Sequence, residues 1–241
     1  STSGLAVETQ TWDDFDRLLL KTDRHGETVS TTYDANGNRK SVRDSDGVVT
    51  TYTYDALNRL ASQTGAGGVT SYDYFKNSLP KKTTYPNGAS ATQTYDLANR
   101  TLSITNRQNA ALIASYVYAY DDNGNRSEQL ETNGGAPETT TYGYDDADRL
   151  TEVHDPDQTV TYTLDPVGNR ETETIVAAGG TTTSAKTLAY DVRDRLLSVT
   201  DSVDPANDAT LAWDENGNQI SKTQGSLIRG QIYDALDRLV E

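Results

Sequence analysis

The sequence predicts an all-β protein: antiparallel β-hairpin repeats forming a spiralling sheet, a shell or a solenoid. Three observations carry that expectation. An aromatic residue opens the same short motif at Trp12, Tyr33, Tyr54, Tyr74, Tyr95, Tyr120, Tyr144, Tyr190, Trp213 and Tyr233, and Leu164 opens an eleventh copy. The starts lie 20 to 26 residues apart, and self-similarity at so short a period marks a repeat architecture. Strand formers precede each start and turn formers follow it, while no segment carries a sustained helical period with caps.

Within one copy the elements follow in order, beginning with a strand that leads into the start. Val49-Thr50-Thr51-Tyr52-Thr53-Tyr54, Thr139-Thr140-Thr141-Tyr142-Gly143-Tyr144 and Thr159-Val160-Thr161-Tyr162-Thr163-Leu164 are rich in β-branched and aromatic residues, which suit a pleated, half-buried surface. Period-two alternation puts Tyr52 with Tyr54, Tyr72 with Tyr74 and Tyr142 with Tyr144 on shared faces.

The turn comes next. With the start counted as position zero, position one is Asp in ten of eleven copies, from Asp13 and Asp34 to Asp214 and Asp234, with Phe75 the exception. Position four reads Asp16, Gly37, Asn58, Ser78, Asn99, Gly124, Asp148, Gly168, Asp194, Gly217, Asp237. Gly, Asn and Asp tolerate positive φ, so Gly37, Gly124, Gly168 and Gly217 are expected to hold the turn, and Ser78 breaks the rule. The Asn-Gly pairs at Asn36, Asn123 and Asn216 suit tight hairpin turns, and those at Asn87 and Asn133 mark further turns between copies.

The second strand starts on an alternation. Position five is Arg at Arg17, Arg59, Arg100, Arg149, Arg195 and Arg238, and Asn at Asn38, Asn125, Asn169 and Asn218, with Leu79 where an Asn is due. Arg-type copies mostly continue with Leu, as at Leu18, Leu60 and Leu150, whereas Asn-type copies mostly continue with Arg39, Arg126 or Arg170. The unit of repetition is therefore a pair of copies.

Composition fits an array better than a compact core. Residues 1–241 read as a single array of about eleven copies, and since a repeat array grows by addition, length does not set a domain count. The hydrophobic fraction is 34%, so stability should come from neighbouring copies stacking their Tyr and Leu rows. The net charge of −15 repels a phosphate backbone and excludes nucleic acid as the expected partner. The chain has no Cys, hence no disulfide framework, and no Met even at residue 1, so a fragment of a longer protein is expected. No apolar run approaches the ~20 residues of a membrane helix.

These residues carry a family resemblance over most of the chain. Tyr54-Asp55-Ala56-Leu57-Asn58-Arg59-Leu60, Tyr33-Asp34-Ala35-Asn36-Gly37-Asn38-Arg39 and their counterparts resemble the YD repeats of the Rhs family. The resemblance implies a long β-sheet of hairpins that winds into a spiral and, in Rhs proteins, insecticidal toxin complexes and teneurins, closes into a hollow shell. In the bacterial toxins such a shell encloses a C-terminal toxic segment. The family's core usually ends in a self-cleaving segment containing Pro and Asp. Here Asp155-Pro156, Asp165-Pro166 and Asp204-Pro205 are isolated dipeptides, and the second only occupies a repeat turn.

Candidate chemistry is sparse. His25 and His154 are the two histidines, and both sit in polar turn sequence with little to build a triad or metal site. An Asp recurring once per copy more plausibly fixes a turn through Asx-type bonds than performs a reaction at one place, although an acid pair needs only two carboxylates. The Asp-x-Asn-Gly-Asn stretches from Asp34, Asp121 and Asp214 differ from EF-hand loops, which place Gly sixth and end on Glu. Tyr rows offer faces on which sugars stack but are first of all packing rows, and the Arg at each turn reads as one rung of an ion-pair ladder.

The expected function is a non-enzymatic structural segment building a β-sheet wall that encapsulates a toxin or cargo, in an extracellular or cell-surface protein. A fibre-forming repeat and a carbohydrate or cell-surface binding module are the rivals. No catalytic, cofactor-binding or metal residue is assigned and no cofactor is expected. The partners foreseen are further repeats of this or another chain, an enclosed toxin cargo, or a cell-surface glycan.

Overall fold

Thr, Val and Tyr crowd the segments between turns, and those segments are extended throughout. The computed structural model describes residues 7–240. Among them are 21 strands: β1 (Thr9–Trp12), β2 (Leu18–Thr22), β3 (Thr28–Tyr33), β4 (Arg39–Asp44), β5 (Val49–Tyr54), β6 (Leu60–Gly65), β7 (Gly68–Tyr74), β8 (Pro80–Thr84), β9 (Ala89–Tyr95), β10 (Thr101–Gln108), β11 (Ala111–Tyr120), β12 (Arg126–Asn133), β13 (Glu138–Tyr144), β14 (Leu150–His154), β15 (Gln158–Leu164), β16 (Arg170–Ala177), β17 (Thr182–Tyr190), β18 (Leu196–Asp201), β19 (Ala209–Trp213), β20 (Gln219–Gln224) and β21 (Leu227–Gly230). A single 3-10 turn at Pro205–Asn207 is the helical content among the described residues, and no helix is long and apolar enough to cross a membrane.

The chain forms two compact units, one running to Val117 with Thr132–Gly135 added, the other made of Tyr118–Glu131 and the residues from Ala136 onward. In the first, strands β1 to β11 pair each with the next, always antiparallel. In the second, β12 to β21 do the same. The architecture is all-β and built of antiparallel hairpins.

Each repeat turn joins two strands in a fixed register. Tyr54 faces Leu60 while Thr53 faces Ser62, so Ala61 is an extra residue on the second strand. The same bulge recurs where Tyr33 faces Arg39, Tyr74 faces Pro80, Leu164 faces Arg170 and Trp213 faces Gln219. Bulges raise local twist and re-aim side chains. They leave the hydroxyls of Thr32 and Ser41, Thr53 and Ser62, and Thr94 and Ser103 paired at 2.6 Å across the hairpin.

The Asn-Gly pairs at Asn36, Asn123 and Asn216 sit in tight hairpin turns, with three-residue rather than two-residue loops. Gly37 donates its N–H to Asp34 O and Asp34 donates to Asn38 O, so positions two to four form a three-residue loop. Gly37 has φ +87° and Asn36 is not in the left-handed region, whereas a two-residue type I′ turn needs positive φ at both central residues. The bulge accommodates the extra loop residue. Ser78, the apparent exception, has φ +68° and closes the same turn through its N–H to Phe75 O.

A sheet of this kind has little core. Along β5 the pattern alternates, with Val49, Thr51 and Thr53 exposed and Thr50, Tyr52 and Tyr54 half-buried. Among the described residues only Ala114, Val160 and Ala209 are buried hydrophobics, joined by Ser184 and Asp201. Backbone ladders and contacts between adjacent copies must therefore carry most of the stability.

Candidate functional site at the repeat turns

The site residues singled out in the sequence fall at the ends of hairpins, because position zero closes one strand and position four precedes the next. In the first unit these are Trp12, Tyr33, Tyr54, Tyr74, Tyr95 and Gly37. In the second they are Tyr120, Tyr144, Leu164, Tyr190, Trp213 and Tyr233 with Gly124, Gly168 and Gly217. Gly124, Gly168 and Gly217 hold φ of +97°, +103° and +95°, the left-handed region where a Cβ is costly.

Position one staples the loop. Asp55 Oδ1 accepts the N–H groups of Leu57 at 2.9 Å and Arg59 at 3.0 Å, and its Oδ2 accepts Arg59 Nε at 2.7 Å. Asp34 does the same with Asn36 and Asn38, using the Asn38 amide at 3.1 Å where Asp55 uses Arg59. The Arg59 side chain, then its backbone N–H, holds the Asp55 carboxyl below the usual carboxylate range. At Asp34 desolvation pushes the carboxyl up, but the bonds from Asn38, Asn36 and Gly37 outweigh it and the net displacement is downward. Asp13, Asp96 and Asp234 are lowered chiefly by their own Arg side chains.

The alternation at position five is a pair of different latches to the following copy. In Arg-type copies the guanidinium lies over the next aromatic ring, Arg17 at 4.5 Å from the Tyr33 centroid and Arg59 at 4.6 Å from that of Tyr74. The same group donates Nη1 to the next position-one carbonyl, Arg59 to Phe75 O at 2.9 Å, Arg149 to Asp165 O at 2.9 Å and Arg195 to Asp214 O at 2.8 Å. In Asn-type copies the amides reach the next position-four side chain instead. Asn36 and Asn38 both donate to Asn58 Oδ1 at 3.0 Å, Asn123 and Asn125 to Asp148 Oδ1 at 2.8 and 2.6 Å, and Asn216 and Asn218 to Asp237 Oδ1 at 2.9 and 2.8 Å. Position four in an Arg-type copy therefore does two things: it holds positive φ and supplies the acceptor that the preceding copy needs. This is why it is Asn or Asp there and not Gly, a role that tolerance of positive φ alone does not predict.

A third latch runs backward. Tyr33 Oη donates to Leu18 O, Tyr54 to Arg39 O, Tyr74 to Leu60 O and Tyr144 to Arg126 O at 2.9 to 3.0 Å, and Trp213 Nε1 reaches Leu196 O at 2.8 Å. The fourth copy keeps the backward bond of Tyr74 and an amide latch from Asn77 to Asn99 but loses the staple. Phe75 and Leu79 replace the Asp–Asn staple, Phe75 meets Tyr95 edge to face at 5.9 Å, and Tyr95 donates to Gln93 rather than back across the junction.

The remaining sequence candidates do not converge on a reactive centre. His25 sits in the Asp23 to Glu27 turn, and His154 ends β14 with its Nδ1 at 2.7 Å from Thr159 Oγ1. Among the described residues no group of three or more His, Cys, Asp or Glu is placed to hold a metal ion. A residue unnoticed in the sequence is Asp201, only 2% exposed. Its carboxylate accepts the Ala185, Val203 and Asp204 N–H groups and the Ser184 hydroxyl. The Ala185 N–H, then Ser184, keep it far below the ordinary carboxylate value. It ties the loop after β18 to β17, and neither the repeat pattern nor its neighbours in sequence announce it.

Comparison with known proteins places these turns in a family. The RHS Repeat model matches residues 12–48, 33–70, 120–160 and 144–182, together half of the chain. The tRNA nuclease WapA of Bacillus subtilis is 28% identical over 231 residues, and the tRNA3(Ser)-specific nuclease WapA of Bacillus spizizenii 27% over 230. The alignments cover 93% of this chain but 9% of each relative. Among solved structures, the Photorhabdus luminescens Tc holotoxin pore matches with a TM-score of 0.52 and 17% identity over 82% of this chain and 13% of that one, a likeness of fold. TcdB2-TccC3 without its hypervariable C-terminal region aligns over 97% of this chain and 16% of that one at a TM-score of 0.46 and 13% identity. The matched stretches begin at Trp12, Tyr33, Tyr120 and Tyr144, the starts whose turns and latches are described above, and the chain belongs to the RHS repeat family.

Proposed function

We propose that this segment forms part of a wall enclosing a toxin or other cargo in a secreted or cell-surface protein, and that its own residues are not catalytic. The observation that carries the reading is the latch system. The Asp, Arg, Asn and Tyr side chains that could serve chemistry are committed to the turn and to the neighbouring copy, as with Asp55, Arg59 and Tyr74. A wall extends by adding copies, and each latch acts between one copy and the next.

The Tyr rings also speak against a sugar platform at the turns, since those of Tyr33 and Tyr74 are covered by guanidinium groups. The chain spans 9% of relatives named as tRNA nucleases, and the cargo we favour is an enzyme of that kind carried elsewhere in the parent protein. Electron microscopy of the full-length protein tests the reading. Hollow particles whose cargo resists protease are expected; continuous filaments would replace the enclosing wall with a fibre, and nuclease activity retained by residues 1–241 alone would overturn the non-catalytic assignment.

A further inference from the structure

Residues that recur once per copy are explained by the turn, so those that break the repeat need a separate account. From Tyr118 onward the chain contains two lysines, Lys186 and Lys222. Both line one cavity of about 410 Å³ on the sheet of the second unit. Four residues before a start, where Lys186 stands, other copies have Thr50, Thr70 or Thr140, and at position nine, where Lys222 stands, they have Val42, Gln63 or Val153.

The cavity joins an apolar floor to a cationic rim. Leu188, Val199 and Ala209 lie in neighbouring register on β17, β18 and β19 and supply the floor. On one side Glu173 accepts Lys186 Nζ at 2.7 Å and Arg170 Nη1 at 2.6 Å, so one carboxylate serves two cations. On the other side Lys222 faces Arg229 directly across β20 and β21; Arg229 lines a smaller hollow of about 120 Å³ that shares Lys222 and Gln224 with the cavity, and neither cation makes an ion pair among the described residues. The buried Asp201, cross-strand neighbour of Lys186, has its oxygens occupied by Ser184 and backbone N–H groups. Three cations of the cavity and Arg229 beside it thus stand against two engaged carboxylates in a chain of net charge −15.

We propose that this cavity and the smaller hollow sharing Lys222 with it bind an acidic peptide segment, with carboxylates on Lys222 and Arg229 and aliphatic carbons on the Leu188–Val199–Ala209 floor. Charge complementarity selects the anion, since like charges directly opposite on paired strands are destabilising and Lys222 and Arg229 gain most from a shared carboxylate. The apolar floor and the cavity's size, at the small end for ligand sites, select a short peptide over a nucleic acid. A phosphate strand has no aliphatic side chain to set on that floor. The inference is independent of the enclosing-wall reading, because it concerns residues outside the turns.

Fluorescence anisotropy of labelled hexaglutamate with the full chain at low ionic strength tests it. Saturable binding is expected, weakened about tenfold by Lys222→Gln or Arg229→Gln, the loss of roughly one charge pair, and suppressed by salt. Lys222→Gln removes no ion pair, so its thermal transition should match the wild type, and Lys82→Gln should bind as the wild type does. Absence of peptide binding, or equal binding by Lys222→Gln, would overturn the proposal. So would tRNA binding that depends on Lys222 when the peptide does not bind.

Discussion

Position four requires a residue to hold positive φ, and Ser78 shows that the place imposes the conformation: it sits at φ +68° beside Asn58 at +58° and Asn99 at +65°. Glycine adopts this region without strain, whereas a β-branched side chain pays a steric penalty there. Gly217 isolates that effect, because a Cβ added to it would meet nothing within 4 Å, while one at Gly37 would meet Arg17 Nη1 at 3.4 Å. Gly217→Val is expected to lower stability by about 1 to 3 kcal/mol, read from urea denaturation, and an unchanged midpoint would remove the conformational argument. The Asp at position one does the opposite work, satisfying the N–H groups that the loop leaves open.

A hairpin is stabilised as much by its neighbour as by itself. Arg59 is bound to Asp55 in its own copy and to Phe75 O and the Tyr74 ring in the next, so one side chain closes a turn and joins two hairpins. A double-mutant cycle of Arg59→Met and Tyr74→Leu should give a coupling energy of about 0.5 to 1 kcal/mol. The same cycle between Arg59 and Tyr52, which are not stacked, should give none. Arg59→Lys should recover little, because an ammonium keeps the charge but loses the planar fork that spans both copies. The fourth copy offers the contrast within the molecule: with Phe75 and Leu79 in place of Asp and Asn, its junction to the fifth copy rests on Asn77 donating to Asn99 Oδ1 and on the Phe75–Tyr95 ring contact.

Across the whole molecule stability is distributed, and so is its response to acid. The position-one carboxylates from Asp13 to Asp234, and Asp201 with them, are held below their ordinary values in the fold. A lowered folded value means that the contribution is complete above the unfolded Asp value of about 4 and is lost as pH falls through the folded values. Thermal melts should therefore give a nearly constant Tm from pH 7 to about pH 5 and a steep fall below about pH 4. A Tm constant down to pH 2 would show that the turn carboxylates contribute nothing. Few buried hydrophobics stand behind them, so no large core would hide the loss.

Period, hairpins and turn are legible in the amino-acid sequence. Those features are local: an aromatic, an Asp and a residue tolerant of positive φ lie within five positions, and each acts on backbone it adjoins. It also showed the Arg and Asn alternation, as at Arg17 and Asn38, without the reason for it. Only the tertiary structure supplied that reason, because the Asn38 amide and Asn58 Oδ1 are 20 residues apart in the chain and meet only when neighbouring hairpins pair. The same holds for Asp201, whose carboxylate accepts the Ser184 hydroxyl from the preceding strand, and for Lys186 and Lys222, which reach one cavity from β17 and β20. Strand pairing brings distant residues to hydrogen-bonding distance, and periodicity along one chain does not record which of them will meet.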